Sequence, residues 1–77
     1  MTNLEMVSLI KNNPKDTFDL DMGDNEILKN LKLTVGTDID PNDNDTLNPL
    51  YIDVLRDSDG TVYYLTDIVD VKISSKK

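Results

Sequence analysis

The chain has 77 residues, with 15 Asp and Glu against 8 Lys and Arg, a formal net charge of -7, and neither His nor Cys. This composition excludes disulfides, thiolate metal sites and Cys- or His-based catalysis, and places the molecule near the lower size limit of a single unstapled core. The acid is also unevenly placed: residues 16–26 hold five acids and no base, and residues 38–59 hold seven against the single Arg56.

Thr2 is suited to cap a short helix, with Glu5 three residues on completing a capping box and Leu4, Val7 and Ile10 on one face. Lys11 suits the last turn, and Asn12, Asn13 and Pro14 end it. Residues 1–12 contain no secretion signal by the usual criteria, and no apolar run reaches the 18 residues of a membrane span, so the expected compartment is cytoplasmic.

Residues 17–22 alternate strictly, with Phe18, Leu20 and Met22 on one side and Thr17, Asp19 and Asp21 on the other, as in a strand buried on one face. Gly23 to Asn25 breaks the run. The next stretch has two readings: Asp24 caps a short helix carrying Ile27, Leu28 and Leu31, or Ile27, Leu31, Leu33 and Val35 follow strand parity with Lys29 as an exception. The favoured expectation is a helical turn over 24–30 running into a strand over 31–35.

Residues 36–49 form the longest polar segment and are expected to be a mobile acidic loop. Beyond it, residues 50–56 and 61–65 are rich in aromatic, β-branched and aliphatic side chains and flank Asp57-Ser58-Asp59-Gly60, the clearest hairpin in the chain. Gly60 suits the φ > 0 position that closes such a turn. Val69, Val71 and Ile73 predict a last strand with Asp70 and Lys72 outward, followed by Lys76 and Lys77. The sum is one α+β domain over residues 1–77, an N-terminal helix packed on a four- to five-stranded antiparallel sheet.

Candidate chemistry is sparse. Asp38, Asp40, Asn42 and Asn44 take alternate positions as at the start of an EF-hand loop. The sharp-turn glycine, however, is Asp43 and the closing glutamate is Pro49, so no metal or other cofactor is expected. Asn44-Asp45-Thr46 fits a glycosylation acceptor by chance. Without His or Cys, and with no serine in a nucleophile motif, the chain reads as non-enzymatic. Tyr51, Tyr63 and Tyr64 lack the interleaved bases of a nucleic-acid stacking surface, so direct nucleic-acid binding is not expected.

Met1-Thr2-Asn3-Leu4 leading into a helix, the acidic strand around Asp19, Leu20, Asp21 and Met22, the acids Asp24 and Glu26, and residues 49–60 ending in Asp57-Ser58-Asp59-Gly60 together resemble the phage-encoded uracil-DNA glycosylase inhibitors. Lys29 and Lys32 stand where that family carries acids, and a terminal strand is added. The resemblance implies a protein that occupies an enzyme's DNA cleft with carboxylates in place of phosphates. On this reading Asp19, Asp21, Asp24, Glu26, Asp38, Asp40, Asp43, Asp45, Asp57 and Asp59 meet a basic nucleic-acid-binding partner, with charge steering the encounter. The rival expectations are a small phage or prophage assembly protein whose acids keep it soluble, and a regulatory subunit that adds an edge strand to a partner's sheet.

Overall fold

The first helix, α1 (Asn3–Asn12), begins where the capping box is formed: the Thr2 hydroxyl accepts the Glu5 N–H at 3.1 Å, and the Glu5 carboxylate accepts the Thr2 N–H at 2.8 Å. In this computed structural model, which describes residues 1–43 and 47–74, the helix ends as Asn13 Nδ2 donates to the Leu9 carbonyl at 2.8 Å. Met6, Val7 and Ile10 are buried, whereas Leu4 is exposed. At about 100° per residue, Leu4 lies ~60° beyond Val7 on the side away from Met6, so docking turned the apolar stripe one step from the expected face.

Six strands follow: β1 (Phe18–Gly23), β2 (Glu26–Leu31), β3 (Thr34–Ile39), β4 (Tyr51–Arg56), β5 (Val62–Tyr64) and β6 (Asp70–Ile73), with a 3₁₀ turn at Leu65–Asp67 between the last two. They form two antiparallel three-stranded sheets, ordered β2-β1-β6 and β3-β4-β5, in place of the single sheet expected. Only Lys32 and Leu33 separate β2 from β3. There the chain leaves one sheet and enters the other, and Leu33 is buried at the crossing. The core joins Phe18, Leu20 and Val71 of the first sheet to Leu55 of the second, beneath Met6, Val7 and Ile10 of the helix and Leu65 and Ile68 of the 3₁₀ connection.

The helical turn expected over residues 24–30 is strand β2. Gly23 pairs with Glu26, leaving Asp24 (φ 52°) and Asn25 (φ 65°) as a two-residue loop with both φ positive, the signature of a type I′ hairpin turn. Asp24 therefore turns the chain and caps nothing. The apparent parity exception at Lys29 is a β-bulge. Leu20 pairs with Leu28 but Phe18 with Leu31, so β2 carries one residue more than β1, and Asn30 takes φ 59° to absorb it. Leu28 and Leu31 consequently both pack on the core.

The polar segment expected as loop from residue 36 continues as strand to Ile39, paired in unbroken register from Thr34↔Arg56 to Ile39↔Tyr51. Gly36 makes room for the Arg56 guanidinium, since a Cβ there would stand 3.1 Å from Nη1, and Nη2 donates to the Thr37 carbonyl at 3.2 Å. The Asp57–Gly60 turn has Gly60 at φ 84° with Gly60 N–H on the Asp57 carbonyl. The last strand begins at Asp70, so Val69, expected within it, precedes it and is exposed, while Val71 is buried. The glycosylation triplet 44–46, including Asp45, and the basic Lys76 and Lys77 lie outside the described residues.

Candidate partner-binding surface

The carboxylates proposed from sequence fall into two populations. In the first sheet and the Asp57 turn, Asp19, Asp21 and Asp57 are used by the fold itself. The Asp19 Oδ1 accepts the Ser74 hydroxyl at 2.6 Å and the Asn30 N–H at 3.0 Å, satisfying the bulge of β2 and tying the end of β6 to β1. The Ser74 bond is the main reason the Asp19 carboxyl is held below its ordinary value. The Asn30 N–H and the charges of Lys72 and Lys29 add to it. Asp21 Oδ1 accepts the Gly23 N–H at 2.9 Å and steadies the I′ turn.

Asp57 is more fully engaged. Its Oδ1 accepts the N–H groups of Asp59 and Thr61, both at 2.9 Å, and its Oδ2 accepts the Tyr63 hydroxyl at 2.8 Å. The Tyr63 bond leads in pulling the Asp57 carboxyl down. Burial leads in pushing the Tyr63 hydroxyl up, with the Asp57 hydrogen bond second. Asp24, Glu26 and Asp59 are exposed at hairpin ends, and their side chains make no hydrogen bond among the described residues.

The second population lies on the distal half of the β3–β4 hairpin. Residues 37–55 contain Asp38, Asp40, Asp43, Asp45 and Asp53 and no Lys or Arg. The ladder runs on past the strands, Asp40 N–H donating to the Leu50 carbonyl at 2.8 Å, and Asp43 Oδ2 accepts the Leu50 N–H at 2.7 Å. Asp38 and Asp40 each turn one oxygen to a neighbouring backbone N–H, of Ile39 at 2.8 Å and Asn42 at 2.9 Å. Among the described residues no group of three or more His, Cys, Asp or Glu side chains converges.

The arm also exposes large apolar groups that the charge pattern concealed: Ile39 at 44 %, Leu47 at 88 %, Leu50 at 61 % and Tyr51 at 64 %. Asp53 and these four residues are what sequence reasoning missed as parts of a surface. The available signal was the coincidence of a base-free stretch with apolar residues inside a segment that has no reason to carry them. Elsewhere the hollows are small. One over Asp19, Asp21, Ile27 and Asp70 holds about 80 Å³, one beside Ile10 and Leu33 about 190 Å³, and one beside Asn3, Ile52 and Leu65 about 240 Å³. All three fall below the roughly 300 Å³ at which small-molecule pockets begin.

No helix among the described residues is long and apolar enough to cross a membrane. Comparison with family models, curated proteins and solved structures finds no match to this chain.

Proposed function

We propose that the chain is a non-enzymatic acidic binding protein that docks through the β3–β4 arm on the basic cleft of a nucleic-acid-processing enzyme and blocks substrate entry. The observation that carries this reading is the distribution of charge: residues 37–55 contain five Asp and no Lys or Arg, whereas Lys72 and Lys29 stand near Asp19 of the first sheet. A base-free carboxylate surface attracts a cleft built for phosphates and raises the rate of encounter. The uracil-DNA glycosylase inhibitor resemblance supports the same mode of action through the capped helix, the acidic first strand and the Asp57–Gly60 turn, although β2 replaces the helical turn it includes.

Affinity capture followed by competition tests the proposal. A captured nuclease, glycosylase or polymerase should be released by its nucleic-acid substrate, and its association rate should fall with salt more than its dissociation rate rises. Asp38, Asp40, Asp43 and Asp45 changed together to Asn should weaken inhibition, while Asp67 and Asp70 changed to Asn should not. Inhibition indifferent to salt and to the four arm substitutions would remove the arm as phosphate mimic. The exposed Ile39, Leu47, Leu50 and Tyr51 favour one alternative, a subunit of a larger phage or prophage assembly, which predicts incorporation into a particle and no enzyme inhibition.

A further inference from the structure

The two faces of the β3–β4 arm are not equivalent, and the difference names a kind of partner. Residues directly opposite in an antiparallel pair share a face, and successive pairs alternate. Val35↔Leu55 lies on the core face: Leu55 is fully buried and Val35 packs on the same cluster. Moving outward along that face, the next pair is Thr37↔Asp53 and the next is Ile39↔Tyr51. At about 3.4 Å per residue, Ile39 stands ~14 Å beyond Val35, where the core has ended and both members of the pair are exposed. The apolar face of the sheet outruns the core it serves.

We infer that the Ile39–Tyr51 pair is the apolar anchor of a docking site whose occupant is a basic amphipathic segment of another protein, its apolar residues seated on Ile39 and Tyr51 and its Lys or Arg groups reaching Asp53 on the same face. This rests on the proposed role of the arm and specifies the chemistry of what it meets. Charge selects the occupant. A second copy of this chain would bring the base-free stretch 37–55, with Asp53 on the anchor's own face, against its counterpart, whereas a cationic segment is matched by Asp53 there. Tyrosine is among the residues enriched at interface hot spots, and Tyr51 is exposed.

The test is an amide-resolved NMR titration of the full chain at about 0.15 M salt. The probe is a helical peptide of Leu and Lys, about five turns long, with a Lys–Ser peptide of equal charge as control. The Leu–Lys peptide should perturb residues 37–53 and bind roughly tenfold or more tightly than the control. Tyr51→Ser, and separately Ile39→Thr with Tyr51→Thr, should remove that advantage while the remaining spectrum stays folded. Equal binding of both peptides, or perturbation centred on Asp19, Asp21 and Asp70, overturns the anchor and leaves the acidic reading standing. Failure of both peptides to bind overturns the acidic reading as well. A concentration-dependent dimer in sedimentation, lost in Tyr51→Ser, replaces the foreign segment with a second copy.

Discussion

The first sheet and the β3–β4 arm carry the same residue types to opposite ends. On β1, the carboxylates at Asp19 and Asp21 sit over a buried face and accept backbone or hydroxyl donors, so their negative charge is part of the sheet's hydrogen bonding. On the arm, the acids are interspersed along the chain with the exposed Ile39, Leu50 and Tyr51. Aspartates in both regions accept nearby N–H groups, Asp38, Asp40 and Asp43 on the arm as Asp19 and Asp21 on the sheet; the regions differ in the apolar groups beside them, buried under the sheet and exposed on the arm. Local density of charge, the more obvious signal, does not separate the two.

The largest expected effect tests whether the arm really lies outside the core. Leu55→Ala should destabilise by about 2–5 kcal/mol in denaturant unfolding, because Leu55 is fully buried. Tyr51→Ala, on the same strand, should change stability by ~0.5 kcal/mol or less. Comparable losses at both positions would mean that the arm is folded onto the core.

Next comes Gly60→Val, expected to cost about 1 kcal/mol or more. No atom lies within 4 Å of a Cβ placed there, so the cost is backbone strain at φ 84° alone. An unchanged melting temperature would contradict the turn geometry.

A smaller effect addresses the acids directly. Asp19→Asn should lower the melting temperature, since the Ser74 hydroxyl and Asn30 N–H lose a charged acceptor, and Asp38→Asn with Asp40→Asn should lower it less. The reverse order would erase the distinction between the two regions.

The smallest effect is read from pH. Asp19 and Asp57 have folded values below their unfolded ones, so the stability they contribute is present above the unfolded carboxyl value near about 3.9 and is lost as pH falls through the folded values. Tyr63 is raised, so its contribution holds below about pH 10 and is lost as pH rises through its folded value. Asp57→Asn should flatten both limbs of the stability profile. A Tyr63 titration unmoved by Asp57→Asn would break the link.

Where local chemistry decides structure, the sequence was legible. Thr2 with Glu5 marked the helix start, alternation marked β1, and Asp57 to Gly60 marked the turn, each because the needed donors or dihedrals lie within a few residues. Two misreadings arose where distant contacts decide. Leu4, Val7 and Ile10 match helical spacing as well as Met6, Val7 and Ile10, and only docking selects between them. The bulge at Asn30 shifts parity by one residue, which makes β2 look irregular unless its partner strand is known. Exposure at Ile39 and Tyr51 was hidden for the same reason, since alternation says which face a residue takes and not how far the core extends along it.

The bond from Ser74 to Asp19 spans 55 positions of the chain, and Ser74 N–H also reaches the Thr17 carbonyl at 2.9 Å. β1 therefore finds one of its two neighbours only after β6 has left the ribosome. Until then β1 has one open edge, and the I′ hairpin of β1 and β2 must wait in solution as a pair too small to be stable alone. Closing so long a loop is slow relative to forming hairpins, so completion of the first sheet should set the folding rate, and a ribosome-stalled chain ending before Asp70 should leave Phe18 and Leu20 unprotected from a passing chaperone.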